Sequence, residues 1–205
     1  MCNIMCNILD LARRRISVRS FLSTPIDLRD VLYALDAARN APSGANKQPW
    51  RFIIVTDNIL KKKIRMYCEE VEKEFHERIP EWMKLWLREK GISWRKEFLT
   101  KAPALIMVFG KTREPYWVQS VWLAIGYLLL VLEEEGLASL TYTPPKVKWA
   151  NELLGVPEEY MLQTIIPLGK SKETRAKERL GLDSIVYCNK WGQKYDMCLN
   201  SGENT

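Results

Sequence analysis

The amino-acid sequence predicts one layered domain in which strands alternate with helices. Four β-rich runs, at 50–56, 104–110, 137–143 and 161–168, are separated by longer stretches with helical apolar spacing. The chain has 205 residues, the size of one domain or a tight pair. No linker-like stretch divides it, and the one repeat, MCNIMCNI at residues 1–8, carries no structural weight. A composition of 47% hydrophobic and 27% charged residues is that of a globular protein and excludes a disordered or collagenous chain.

In chain order, residues 8–15 read as a short helix ending in Arg13, Arg14 and Arg15, where the negative end of the helix dipole favours cations. Residues 16–21 alternate and read as extended. Asp27 caps a second helix reaching about residue 40, with Leu28, Val31, Leu32, Leu35 and Ala38 as its buried stripe. Residues 41–46 form a loop by their Pro, Ser, Gly and Asn content. A strand at 50–56 precedes a long charged helix at 58–78, which Pro80 breaks, and two further helical pieces follow at 81–90 and 94–101. After the strand at 104–110, residues 116–135 are apolar nearly all round, so this helix is expected to be buried on most faces. Its longest apolar run, 121–132, falls short of the roughly 20 residues of a membrane span. Gly136 ends it. A strand at 137–143, a helix at 148–154 and a strand at 161–168 complete the pattern. The tail from about 170 is basic, then polar, and is expected to extend over another surface such as a second subunit.

Lysine and arginine total 31 against 25 aspartates and glutamates, a net charge of +6 that favours anionic partners. The basic residues are scattered over three regions with no recognition helix or base-stacking sheet, so neither nucleic acid nor a membrane is an expected partner. His76 is the single histidine, which excludes HExxH and multi-histidine metal sites, and no metal is expected. The cysteines, Cys2, Cys6, Cys68, Cys188 and Cys198, form no CxxC pair and no zinc spacing, and are read as free thiols. Their odd number and the lack of a signal-peptide pattern point to the cytoplasm.

Arg15, Ser17 and Arg19 fall on one face of an extended segment. Two guanidinium forks around a hydroxyl suit a phosphate monoester, and a solvated basic face is the alternative. Lys170, Lys172, Arg175, Lys177 and Arg179 form a second basic set, of which Lys177 and Arg179 could close on the same phosphate. In APSGANKQPW at 41–50, Gly44 would let a flat ligand approach the backbone, Ser43 and Asn46 offer polar contacts, and Pro42 stiffens the loop. Standing alone, this stretch is an ordinary helix-to-strand turn.

Taken together and in order, these motifs resemble the flavin-binding signature of the nitroreductase superfamily. They are RISVR at 15–19, APSGANKQPW at 41–50, LTYTP at 140–144, IIPLG at 165–169, and Lys177-x-Arg179 followed by LDSIV at 182–186. The likeness runs from about residue 8 to 187. Within the superfamily, PSGA, the WRKEFL segment at 94–99 leading into Ala102-Pro103, and TYTP most resemble the iodotyrosine deiodinase branch and its bacterial members.

The resemblance implies a single FMN-binding α+β domain over residues 1–205, with a helical lid at about 70–100 and a C-terminal tail at 170–205. It implies three layers, a central mixed and mainly antiparallel sheet flanked by helices, in an intertwined homodimer with FMN at each subunit interface. Arg15, Ser17 and Arg19 would bind the FMN phosphate with help from Lys177 and Arg179. Pro42, Ser43, Gly44 and Asn46 would line the isoalloxazine from the other subunit. Thr141 would join the cofactor site, and Thr143 would be the catalytic residue, at the flavin N(5). In the lid, Glu72, His76 and Lys96 would clamp the ammonium and carboxylate of a halotyrosine, with histidine standing where the branch carries tyrosine. The Ala45 backbone would bind the phenolate. Trp82, Trp86 and Trp94 in the lid could stack on an aromatic substrate, exclude water from the reduced flavin, or equally serve as lid-packing residues.

The implied activity is reductive dehalogenation of a halotyrosine or halophenol, a small aromatic substrate, with NAD(P)H or a reductase protein as electron donor. The alternative is a broad NAD(P)H-dependent nitro- or quinone reductase. Because a flavin carries the hard chemistry, neither reading needs a protein nucleophile or a metal.

Overall fold

The computed structural model describes residues 7–173 and 177–198. The chain divides into two compact units, Met1–Thr174 and Arg175–Thr205. In the first unit the order is α1 Ile8–Arg14, α2 Leu28–Arg39, β1 Trp50–Val55, α3 Asn58–Arg78, α4 Glu81–Glu89, α5 Phe98–Lys101, β2 Ala104–Lys111, α6 Trp117–Glu134, β3 Ala138–Ser139, α7 Trp149–Leu154 and β4 Tyr160–Gly169.

The strands form one sheet in the order β1-β2-β4-β3, and each neighbouring pair is antiparallel. A parallel contact occurs as an isolated bridge between Ser17 and Ser139. This makes the fold α+β, not a parallel α/β sheet. Strand β2 explains the layering. Leu105, Met107 and Phe109 point into one core with Ile64, Cys68, Phe98 and Ala150, from α3, α5 and α7. Ala104, Ile106 and Val108 point into the other, with Val31, Ala34, Ala38, Val121, Ile125 and Leu128 from α2 and α6. Burying a large apolar side chain stabilises by about 1.5–3 kcal/mol, so a strand enclosed on both faces anchors both layers.

Helix ends follow local chemistry. Asp57 Oδ1 accepts from Leu60 N at 2.6 Å to start α3, and Asp27 Oδ1 accepts from Arg29 N at 2.9 Å to start α2. Helix α6 stops at Gly136, whose φ is +65°. Lys170 Nζ then donates to Glu135 O at 3.3 Å and Gly136 O at 3.1 Å, so this member of the second basic set serves a helix end.

Several elements differ from the sequence expectation. Leu28 and Leu32 are exposed, at 42% and 57%, while Val31 and Ala38 of the expected stripe are buried and, with Ala34, form the face that meets α6. Helix α6 buries Val121, Ala124, Ile125, Leu128 and Leu132 but exposes Val118, Trp122, Leu123 and Tyr127, so one side of an apolar helix faces outward. By length and composition α6 could cross a bilayer, but its packing on α2 and the sheet makes it a core helix. Of residues 137–143, two pair as β3, and Tyr142 adds an isolated bridge to Ile165. The helix expected from 94 starts at Phe98. Ahead of it, Ser93 Oγ accepts from Arg95 N at 3.3 Å and Ser93 O accepts from Lys96 Nζ at 2.7 Å, local bonds that compete with helix formation.

In the second unit, short 3-10 turns span Leu182–Ser184 and Tyr195–Cys198, and Tyr187 bridges Lys194. Cys188 and Cys198 form a disulfide, which corrects their reading as free thiols. Cys68 is free and buried, while Cys2, Cys6 and Arg175 lie outside the described residues.

Candidate active site

Lys61, Arg65, Glu69, Glu72 and His76 recur every three or four residues, so helix α3 presents them on one face. That face zips against residues 93–103. Lys61 Nζ donates to Ala102 O at 2.8 Å and Pro103 O at 3.1 Å, and burial lowers its pKa. Arg65 donates to Thr100 Oγ1 at 3.1 Å and to Glu69 Oε1 at 2.7 Å. Glu69 Oε1 also accepts from Lys96 N at 2.8 Å.

The seam ends in a buried cluster. Glu72 and Lys96 are 7% and 5% exposed. Glu72 Oε2 lies 3.1 Å from Lys96 Nζ and 3.5 Å from His76 Nε2. Its other oxygen, Oε1, accepts from Tyr142 Oη at 2.9 Å. Ions this deep require pairing and hydrogen bonds, and here each has them. The Tyr142 ring meets Phe98 edge-on at 5.5 Å, and Lys96 Nζ lies 5.3 Å from the Tyr142 centroid. Cys68 is fully buried in the same core as Tyr142. Burial pushes both the Cys68 thiol and the Tyr142 phenol well above their ordinary ranges.

Glu72, His76 and Lys96 line a cavity of about 250 Å³ together with Arg19, Thr141 and Thr143. Leu87 from α4 and Ile92 beyond it close one side. Thr143 is exposed, and its hydroxyl donates to Gln163 O at 2.8 Å. The cavity thus joins lid residues to the segment that follows β3.

The 15–19 segment runs beside that same segment. Val18 N donates to Ser139 O at 3.1 Å, and the Val18 side chain is buried. Arg15 and Ser17 are half-buried and Arg19 is exposed, as alternation expects of the opposite face. Arg19 N donates to Glu173 Oε1 at 3.2 Å, so the segment already receives one anionic group. Lys177 and Arg179 belong to the second unit, where Arg179 Nη1 donates to Glu178 O at 2.8 Å.

Pro42, Ser43, Gly44, Ala45 and Asn46 do not line the cavity. Their loop packs at the start of α6, where Gly44 N donates to Ser120 Oγ at 3.1 Å. A Cβ on Gly44 would come within 2.7 Å of Pro115 O, so packing within the chain is sufficient reason for this glycine. Ala45 and Asn46 have φ of 49° and 54°, in the left-handed region. Ser43 Oγ accepts from Gln48 N at 3.0 Å and Asn46 Oδ1 from Gln48 Nε2 at 3.2 Å, bonds that brace this turn. Trp82 and Trp86 are exposed on α4, and Trp94 is covered by Lys73 Nζ, 4.3 Å from its centroid.

Residues 12–170 match the family model described as the nitroreductase family. The chain belongs to the nitroreductase family. It is 48% identical over 168 residues to an iodotyrosine deiodinase of Thermotoga neapolitana, covering 82% of this chain and 90% of that one. An iodotyrosine deiodinase of Haliscomenobacter hydrossis is 37% identical over 78% of this chain and 77% of that one. A crystal structure of oxidized iodotyrosine deiodinase bound to FMN and 3-iodo-L-tyrosine superposes with a TM-score of 0.85 at 45% identity, covering 90% of this chain and 100% of the other. A BluB-like flavoprotein from Clostridium difficile has a TM-score of 0.77 at 22% identity, which speaks to the nitroreductase fold alone.

Sequence reasoning passed over Tyr142 and Cys68 in this nitroreductase. Each left a signal. Cys68 precedes Glu72 by one helical turn, and Tyr142 lies between two threonines, so alternation turns it away from them and into the core.

Proposed function

We propose that this chain is an FMN-dependent oxidoreductase that reductively dehalogenates a halotyrosine or related halophenol. The buried Glu72–His76–Lys96 cluster, facing Thr141 and Thr143 across one cavity, is the observation that carries this reading. It is supported by the relatives' identity as iodotyrosine deiodinases and by the solved deiodinase's bound FMN and iodotyrosine.

The residues suit FMN. Arg15, Ser17 and Arg19 offer a phosphate two guanidiniums and a hydroxyl, on a segment whose backbone already binds the carboxylate of Glu173. Thr141 would join the cofactor site, and Thr143 would hydrogen-bond the flavin N(5). The Thr143 proton is engaged by Gln163 O, so its oxygen is left as an acceptor unless the side chain turns. FMN, when bound, supplies the reducing electrons.

In the overall reaction the aryl carbon–iodine bond breaks, a carbon–hydrogen bond forms and iodide leaves. Two electrons and one proton are consumed, and NAD(P)H or a reductase protein provides the electrons. Glu72 takes the substrate ammonium, which displaces Lys96 Nζ. Lys96 and His76 then take the carboxylate, and in a homodimer the Ala45 backbone of the second copy takes the phenolate. Leu87 and Ile92 keep water from the cavity.

The site is completed by a second copy of the chain. The exposed Leu28, Leu32, Trp122, Leu123 and Tyr127 give α2 and α6 an apolar outer face. The loop carrying Pro42, Ser43, Gly44 and Asn46 packs at the start of α6 and, in a homodimer, would line the partner's flavin. We regard residues 1–205 as one functional domain, with the lid at 70–100 and the tail at 170–205, working in the cytoplasm beside its reductant.

Purified protein is expected to be yellow, to release FMN on denaturation and to release iodide from iodotyrosine under reducing conditions. Excess FMN at a hundredfold over its Kd should stabilise it by about 2.7 kcal/mol. A colourless protein whose melting ignores FMN would sink the reading. A yellow protein that reduces nitroarenes but frees no iodide would favour the broad reductase.

A further inference from the structure

Glu72 is held from two directions. Its Oε2 faces Lys96 and His76, at 3.1 and 3.5 Å, while its Oε1 is tied at 2.9 Å to Tyr142 Oη on the core side. A phenol has one proton. Given to Glu72 Oε1, it sets the direction of that bond, from phenol to carboxylate. Burial disfavours ionisation of the phenol, so it stays a donor. Tyr142 is itself fixed, because its backbone exchanges two hydrogen bonds with Ile165, at 2.9 and 2.8 Å.

We propose that Tyr142 is a positioning residue for substrate recognition that orients Glu72 to receive the ammonium of an amino-acid substrate. This rests on the deiodinase reading above. Glu72 does not reach the aromatic ring's chemistry, so Tyr142 governs how the amino-acid end is read and leaves halide release alone. Loss of its hydroxyl frees the carboxylate to turn fully toward Lys96 and compete with substrate.

The test uses FMN-loaded protein and two substrates, 3-iodotyrosine and 2-iodophenol, which lacks the ammonium and carboxylate. Tyr142→Phe should raise KM for iodotyrosine about tenfold, since a hydrogen bond to a charged group is worth at least that much. Its kcat, its FMN affinity and its KM for iodophenol should stay within twofold. Tyr142→Met also removes the hydroxyl, should raise the iodotyrosine KM with the same selectivity, and serves if Tyr142→Phe does not fold. Equal changes with both substrates, or none with either, would overturn the proposal. Wild-type protein that frees no iodide from iodotyrosine would instead overturn the deiodinase reading.

Discussion

The two sides of the central sheet are built on the same strand and differ in what they enclose. Beneath α2 and α6 the core is apolar, and Ile106, Val108 and Leu128 share it with Val31, Ala34 and Ala38 from α2. Beneath α3 the core grades into a charged seam, and Glu72, Lys96, Tyr142 and Cys68 are buried together. An apolar layer loses little when its parts shift, because contacts without direction re-form. A buried ionic layer loses its pairing when one atom moves, which suits it to recognise a ligand and makes it costly to keep. Residues 104–109 serve both, with side chains alternating between them.

The sharpest way to break this comparison is to remove one charge. Lys96→Met leaves Glu72 buried without its main partner, and a loss of about 3–5 kcal/mol is expected from urea unfolding. Glu72→Gln with Lys96→Met should recover most of it. A single variant as stable as wild type would mean that the cluster is not buried in solution.

The matching change on the apolar side is Ile106→Ala, expected to cost about 2–5 kcal/mol through lost burial and a cavity. Its iodotyrosine KM, measured on the folded protein, should stay at the wild-type value. A shift as large as that of a lid variant would show that the two sides are not separable.

The smallest expected effect is in alkali. The folded-state pKa of Cys68 is raised from the ordinary 9.0, so the folded chain keeps a proton that the unfolded chain releases. This contribution is constant below that value, and stability falls as pH rises above it. The slope is about 1.4 kcal/mol per pH unit for one group. Cys68→Ala should flatten the unfolding profile by about 1 kcal/mol between about pH 9 and 10, approaching the full slope only above that range. An unchanged slope would mean that the thiol ionises within the fold.

How much of this was legible in the sequence depended on whether local chemistry decided the outcome. Helix α3 could be read as 58 to about 78, because its charged helical run follows a strand and Pro80 stops the chain beyond it. The antiparallel order of the sheet was not readable from alternation of elements, since pairing is non-local, and it came through the family resemblance. Leu28 and Leu32 fit an apolar stripe but lie outside the intrachain contact, a distinction that spacing within one helix cannot make. The 137–143 run looked continuous, yet Thr143 bonds sideways to Gln163 O and Pro144 follows, so β3 stays short. For the candidate site, Glu72 and His76 were visible as one helix face. Their burial was not, because it depends on Lys96 and Tyr142 arriving from distant parts of the chain. Nothing in the cysteine spacing selected Cys188 and Cys198 as a pair.

Helix α4 leaves the fold after α3 and returns at Lys96, and the two ends of that excursion are tied by the bond between Lys96 and Glu72. Closing a loop between anchored ends costs little more when the loop grows, roughly 0.6 kcal/mol for each doubling. Residues 79–92 are therefore a cassette. They can be lengthened, shortened or exchanged at small thermodynamic expense while the sheet and its two cores stay as they are. For protein engineering this separates two problems: the frame that carries the electrons is conserved by construction, and the aperture that admits a molecule can be redesigned as a replaceable part.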